Sequence, residues 1–269
     1  MSSFVRFGPQ RQLVGILGDG DASRPILVLP SAGLIPRAGA FRLHVELAER
    51  LSRLGFRTFR FDVPGVGESQ RVHGVDDFEA TAAAIDELAS RDPDARFVVG
   101  GICSGADVGW RAAVSDDRVI GMLMLDGLGF TGPWFQLARV ANVVRGGPRR
   151  WLRTLSRLLR MRGEGLDKRA EIADYREWPT QERARVEFAD LVARGKQQLW
   201  IYTGGYDDVF LHPKQFAWSF GPAVHAPCVT MAFWPDCDHT FFATPHRTRL
   251  VDTVEQWMLR IVATTEARQ

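Results

Sequence analysis

Cysteine is scarce in this chain, with three residues among 269, at positions 103, 228 and 237. An odd and low number of cysteines does not indicate a disulfide framework, so we expect a reducing, cytoplasmic setting. Net charge is also small, because 34 Lys and Arg are balanced by 32 Asp and Glu to a formal +2. The average charge therefore gives no indication of a nucleic-acid partner.

Long apolar runs are missing too. No run approaches the roughly 20 residues of a membrane span, and the first residues lack the basic and apolar regions of a signal peptide. Apolar residues nevertheless make up 45% of the chain and charged residues 25%, a balance typical of folded globular proteins rather than of disordered ones. We expect a single domain over residues 1–269.

Short apolar runs alternate with amphipathic stretches, which predicts an α/β fold with a mostly parallel sheet. The predicted strands cover 25–30, 58–62, 96–100, 119–125, 198–202 and 229–234, and the first 17 residues predict an edge hairpin. Helical spacing covers 41–54, 76–90, 106–114 and 247–262. One long insertion, about 130–197, is predicted to be a helical cap over the open end of the sheet.

The strand at 96–100 runs into Gly-Ile-Cys-Ser-Gly at positions 101–105, and a helix follows. This is the pattern of a nucleophile elbow, where residues two before and two after the nucleophile must be small. Gly101 and Gly105 meet that requirement for Cys103, whereas the neighbours of Ser104 do not. The helix start favours a thiolate at Cys103, and the Ser104 N–H would face an oxyanion. A buried structural cysteine and a phosphate-binding loop are the alternatives.

A general base is predicted just after the last strand, where His239 would reach the same edge of the sheet as the elbow. The acid that orients this base would follow an earlier strand. Asp207 is favoured over its neighbour Asp208 because of its spacing from the glycine turn at 204–205. Asp126, directly after the strand 119–125, is a third candidate.

Two further acids, Asp236 and Asp238, flank Cys237 in the loop that leads to the predicted base. Their spacing matches no zinc-ligand pattern. We therefore predict no metal site and no cofactor.

These segments resemble the α/β-hydrolase superfamily over nearly the whole length of the chain. The resemblance is carried by 29–34, 61–69, 101–105, 204–207 and 238–241, and more narrowly it extends to bacterial exosortase-associated or serine-aminopeptidase-like hydrolases. It implies a twisted, mostly parallel eight-stranded sheet flanked by helices, and it makes the Leu34 N–H a second oxyanion donor. Cys103 stands where most members carry serine. Dienelactone hydrolases and polyhydroxyalkanoate synthases also have cysteine there, but the two catalyse different reactions.

The predicted cap is strongly basic, with ten Lys and Arg but two acids between Arg139 and Arg169. Three interpretations remain open: a solvated basic face, a membrane-surface helix, or a docking surface for an acyl carrier protein or a CoA thioester. Nucleic acid is disfavoured because no recognised binding module accompanies the charge. Aromatic residues that could line an acyl pocket under the cap are Phe130, Trp134, Phe135 and Trp178.

Together these features predict an acyl hydrolase, an esterase or thioesterase acting on a small molecule through a covalent Cys103 acyl-enzyme. An acyltransferase or cyclase would use the same intermediate with an alcohol or amine in place of water. A catalytically silent binding protein on the same fold is the alternative from another class of function.

Overall fold

An eight-stranded sheet forms the centre of the protein in a computed structural model that describes residues 2–145, 176 and 178–266. The spatial order of its strands is β1-β2-β4-β3-β5-β6-β7-β8. The strands are β1 (Ser3–Phe7), β2 (Leu13–Leu17), β3 (Ile26–Pro30), β4 (Thr58–Asp62), β5 (Phe97–Ile102), β6 (Val119–Leu125), β7 (Gln197–Thr203) and β8 (Val229–Trp234).

The first two strands form an antiparallel hairpin at one edge, and β2 also pairs antiparallel with β4. The remaining neighbours, from β4 through β3 to β8, are parallel. The predicted edge hairpin and mostly parallel sheet are therefore confirmed. The central strands are continuous apolar runs because both faces of the sheet are covered, and every residue of β3 and β5 is buried.

Seven α-helices occur within the described residues. They are α1 (Leu43–Ser52), α2 (Asp77–Arg91), α3 (Ser104–Ser115), α4 (Pro133–Arg145), α5 (Gln181–Ala193), α6 (Lys214–Phe220) and α7 (Thr244–Glu266). Helix α1 begins two residues later than its apolar spacing predicts, because Phe41 and Arg42 have positive φ angles of 48° and 65°. Asp76 and Glu79 start α2 with a reciprocal capping box.

The helices cover the sheet from both sides and create two apolar cores. On one side Trp110 of α3, Phe188 of α5 and Phe220 of α6 pack around Trp200 of β7. On the other side α1 and α7 pack together over the second core. Because the strands from β3 to β8 run parallel, their carboxyl ends meet at one edge of the sheet.

The predicted cap insertion, 130–197, is described only at its two ends. Helix α4 lies at its start, and α5 at its end packs into the first core through Phe188. Most of the basic stretch, together with residue 177, lies outside the described residues. Among the helices that the structure describes, none has the length and apolar character needed to cross a bilayer.

Candidate active site

Cys103 occupies the turn between β5 and α3 with backbone angles of φ 55° and ψ −121°. A positive φ is uncommon for a residue with a side chain, and it is the strained conformation expected of a nucleophile elbow. The Cys103 N–H donates to the carbonyl of Leu125 at 2.9 Å. Strand β6 therefore holds the elbow at the end of β5.

The two glycines of the elbow are required to different degrees. Gly101 has a φ of 150°, which L side chains rarely adopt. A Cβ added at Gly105 would lie 3.5 Å from the Pro30 carbonyl oxygen, an ordinary van der Waals distance. Crowding, which the elbow pattern predicts at both positions, does not explain either glycine. Gly101 is required by its backbone conformation, and Gly105 leaves room for a methyl group.

His239 follows β8 and lies between Cys103 and Asp126. Its Nδ1 atom is 2.8 Å from Oδ2 of Asp126, and its ring is close enough to the Cys103 thiol for each group to shift the pKa of the other. The predicted proximity of Cys103 and His239 is thus found. The acid beside His239, however, is Asp126 and not Asp207, which was the first choice from the sequence.

Asp126 follows β6 and is fully buried. Its carboxylate accepts hydrogen bonds from the Thr203 N–H at 2.7 Å and from the Thr203 hydroxyl at 2.6 Å. Asp207 and Asp208 lie beyond a short 3₁₀ turn after β7 and are exposed. The physical reason for the correction is that this turn carries both acids out to solvent, whereas the Asp126 carboxylate stays buried within hydrogen-bond distance of His239 Nδ1.

The protonation of Cys103 and His239 is coupled by their contact. Burial by itself would raise the pKa of the Cys103 thiol, but the His239 hydrogen bond and the Arg176 charge bring that pKa below its ordinary value. Burial would lower the pKa of His239, but hydrogen bonds with Asp126 and Cys103 raise it to about 9. Both shifts favour the charged thiolate–imidazolium pair over the neutral pair.

The predicted oxyanion donors lie on two segments that contact each other. Ser104 is the first residue of α3, and its N–H faces the Cys103 sulfur. The Gly33 N–H donates to the Ser104 hydroxyl at 3.1 Å, which ties the turn 32–35 to the elbow. Leu34, the next residue in this turn, has a side chain that is almost fully exposed. Both segments are therefore at the mouth of the site.

A buried charge lies close in sequence to the turn 32–35, at the Asp62–Arg37 ion pair. The carboxylate of Asp62, which is fully buried, accepts hydrogen bonds from the Arg37 main-chain N–H at 2.6 Å and from its guanidinium. The Glu68 N–H donates to the same carboxylate at 3.1 Å. This ion pair ties the segment 61–69 to Arg37, two residues after the turn 32–35.

Two residues that the sequence analysis did not select also contact the site. The Tyr206 ring lies nearly parallel to the His239 ring, with centroids 5.8 Å apart. The Arg176 guanidinium makes hydrogen bonds with Asp107 and with the Tyr206 hydroxyl. The place of Tyr206 directly after β7 could have indicated it from the sequence, whereas no sequence motif indicates Arg176.

The aromatic residues predicted to line an acyl pocket are not gathered in one place. The Arg176 guanidinium lies 4.7 Å from the ring of Trp178, beside the elbow. Trp134 stacks on His212 instead. Phe135 is buried, and Phe130 packs edge-on against Phe220 in the first core. Of the four predicted residues, Trp178 therefore has the clearest link to the site.

A cluster of Asp236, Cys237 and His246 brings potential ligand atoms within 4.8 Å of one another. Asp236 is already paired there with Arg249 at 3.3 Å and with His246 at 3.6 Å. Burial, together with the Asp236 charge, raises the pKa of the Cys237 thiol to about 11, so the thiol is protonated at neutral pH. The contacts are those of an ion-pair cluster around a buried thiol.

With this fold and geometry, the chain belongs to the alpha/beta hydrolase family, whose family model matches residues 26–253. The protein is accordingly a hydrolase enzyme, as its fold and elbow predict. No curated protein sequence matches the chain significantly.

Solved structures with the same fold come from distant organisms. An esterase from Pyrococcus furiosus superposes with a TM-score of 0.65 at 14% identity, covering 97% of this chain and 91% of that one. A putative alpha/beta hydrolase from Agrobacterium tumefaciens gives 0.59 at 16% identity, with 98% and 97% covered. A meta-cleavage product hydrolase from Pseudomonas fluorescens gives 0.56 at 14% identity, with 96% and 98% covered. At these identities the likeness establishes the fold alone.

Proposed function

We propose that this protein is an acyl hydrolase, an esterase or thioesterase, whose nucleophile is the Cys103 thiolate. In this proposal His239 is the proton carrier and Asp126 orients it. The single observation that carries the proposal is that the strained β5–α3 turn places Cys103 beside His239, whose Nδ1 atom is 2.8 Å from the buried Asp126 carboxylate. This arrangement has the geometry of a nucleophile, a base and an orienting acid.

The first half-reaction begins from the thiolate–imidazolium pair. The thiolate attacks the acyl carbon, and the resulting oxyanion is held by the N–H groups of Ser104 and Leu34. When the carbon–leaving-group bond breaks, the His239 imidazolium donates its proton to the departing alcohol or thiol. The products are a Cys103 thioester, a neutral His239 and the released leaving group.

The second half-reaction restores the enzyme. Neutral His239 takes a proton from water, and the hydroxide attacks the thioester carbon. The tetrahedral intermediate collapses by breaking its carbon–sulfur bond, which releases the carboxylic acid and returns the thiolate. The Asp126 carboxylate stabilises the imidazolium that forms in this step, because it is buried and accepts a hydrogen bond from Nδ1–H.

Two aspects of the environment support this assignment of roles. The elbow presents Cys103 with a positive φ at the end of a central strand, and the lowered pKa of its thiol favours the nucleophilic thiolate. The solved esterase from Pyrococcus furiosus shows that the same fold supports ester hydrolysis in another protein. We also propose that the protein is related to the exosortase-associated or serine-aminopeptidase-like hydrolases that parts of its sequence resemble.

Transfer of the acyl group to an alcohol or amine, as in an acyltransferase or cyclase, would use the same thioester. An acyl carrier protein or a CoA thioester remains a sequence-based prediction for the basic stretch of the cap, because most of that stretch lies outside the described residues. The small-molecule ester or thioester substrate is therefore the part of the proposal to test first.

The test is intact-protein mass spectrometry after brief exposure to p-nitrophenyl acetate, with wild type, Cys103→Ala and Cys103→Ser side by side. We expect a single acetyl adduct on wild type that is absent from the alanine variant. Decay of the adduct in water indicates a hydrolase, whereas decay that requires an added alcohol or amine indicates a transferase. An equal adduct on Cys103→Ala would contradict Cys103 as nucleophile.

A further inference from the structure

The Arg176 guanidinium makes contacts with residues that follow three neighbouring strands, β5, β6 and β7. Its Nε donates to Asp107 of α3 at 2.5 Å, and one terminal nitrogen donates to the same carboxylate at 2.7 Å. The other terminal nitrogen donates to the Tyr206 hydroxyl at 2.7 Å. Asp107 is in the first turn after the elbow, and Tyr206 stacks on His239. Arg176 thus bridges the nucleophile helix and the histidine side of the site.

The remaining donors of Arg176 point at main-chain carbonyls. The Cys103 oxygen lies 3.2 Å from one terminal nitrogen, and the Asp126 oxygen lies 3.4 Å from both. These contacts are long, but together with the side-chain bonds they use all five N–H groups of the guanidinium. Arg176 is also largely buried, with 9% of its side chain exposed. It therefore has no free donor to offer a substrate anion.

The two carbonyls that Arg176 contacts belong to residues with an unusual backbone. Cys103 has a φ of 55° and Asp126 has a φ of 50°. Strained residues of this kind persist where surrounding contacts over-determine their conformation. Arg176 donates to the main chain of both of them, although they follow different strands, β5 and β6.

From this geometry we propose that Arg176 is a positioning residue that clamps the strained turns of Cys103 and Asp126 and so sets the relation between nucleophile and acid. This inference rests on the proposed function, because it assigns Arg176 to the Cys103–His239–Asp126 site. The clamp needs the planar, forked guanidinium, because an ammonium group is a single point with three donors. The Arg176 charge also favours the Cys103 thiolate.

The test combines two measurements on the full chain. Alkylation of Cys103 by iodoacetamide, followed by peptide mass from pH 5 to 10, gives the midpoint of thiolate formation separately from Cys228 and Cys237. The burst of p-nitrophenol from p-nitrophenyl acetate gives the acylation rate. The variants are Arg176→Met and Arg176→Lys. Arg185→Met is the matched control, because Arg185 also donates to main-chain carbonyls, those of Trp218 and Ser219.

We expect Arg176→Met to raise the alkylation midpoint by about one pH unit, which slows alkylation about tenfold below the midpoint. Arg176→Lys keeps the charge, so its midpoint stays near wild type while acylation falls about tenfold, since the fork is lost. In Arg176→Met the Asp107 carboxylate loses its partner. A double variant, Asp107→Asn with Arg176→Met, removes this unpaired carboxylate. It should recover part of the midpoint shift without recovering acylation. Arg185→Met should match wild type in both measurements.

Wild-type acylation in Arg176→Lys or in the double variant would overturn the clamp. If Arg176→Met does not fold, as judged by circular dichroism, Arg176→Lys decides the question. Failure of the proposed function would give a different result. In the wild-type protein Cys103 would then have an ordinary alkylation midpoint and would form no acyl adduct.

Discussion

The carboxylate of Asp126 lies 2.8 Å from Nδ1 of His239, across 113 residues of chain. This contact makes Asp126 the orienting acid of the proposed mechanism. We expect Asp126→Asn to lower the acylation rate by roughly 10²–10⁴-fold, because an amide can no longer stabilise the imidazolium or fix its tautomer. Burst kinetics with p-nitrophenyl acetate measure the effect.

Asp207→Asn is the matched control for that variant. Asp207 is exposed and follows the neighbouring strand β7, so the acylation rate of Asp207→Asn should stay within about twofold of wild type. A large loss in Asp207→Asn with little loss in Asp126→Asn would return the acid role to the sequence-based first choice.

Thr203 supports Asp126 with both its main-chain N–H and its hydroxyl. Thr203→Val keeps the shape and the N–H but removes the hydroxyl, a donor to a buried charged group. We expect a loss of about 1.5–3 kcal/mol in the free energy of unfolding, measured with urea, together with slower acylation. Thr203→Ser retains the hydroxyl and should lie much closer to wild type. Equal stability of the valine variant and wild type would argue against a structural hydroxyl bond.

The pH dependence of acylation follows from the two shifted pKa values. The rate should rise with pH as the Cys103 thiol, whose pKa is lowered, ionises. It should fall again as pH passes about 9, because His239 then loses the proton that the leaving group needs. Stopped-flow acylation with a thioester substrate between pH 5 and 10.5 measures both limbs.

Cys103→Ser provides the control for that profile. Serine forms no thiolate partner for the imidazolium, so the serine variant needs neutral His239 as base and its rate should rise with pH without an alkaline limb near 9. The same alkaline limb in both proteins would mean that it does not report the thiolate–imidazolium pair.

The elbow glycines give a prediction on stability. Gly101→Ala places a side chain at a φ of 150°, which should cost about 1–3 kcal/mol of unfolding free energy. Gly105→Ala meets ordinary contact distances in the first turn of α3, and alanine favours helix over glycine by up to about 1 kcal/mol. Thermal unfolding compares the two. If Gly105→Ala is the more destabilised variant, crowding rather than backbone conformation governs the elbow.

Much of the fold was predictable because its signals are local. The alternation of apolar runs and helical spacing predicts the parallel sheet, and Cys103 is marked by neighbours within two residues on either side. His239 follows the last strand directly, so its place at the edge of the sheet follows from strand order. Each of these conclusions depends on a few contiguous residues and on the regular geometry of strands and helices.

Local sequence patterns are therefore sufficient to predict the sheet, the elbow and the position of His239. Which acid lies beside His239 depends on tertiary contacts, because Asp126 and Asp207 follow adjacent parallel strands and both satisfy the chain order. A short turn after β7 exposes Asp207, whereas two hydrogen bonds from Thr203 hold Asp126 in place. Arg176 had no local signal at all, since its contacts with Cys103 and Asp126 span 73 and 50 residues. Contacts of that range depend on how packed elements meet in space, and spacing along the chain does not encode them.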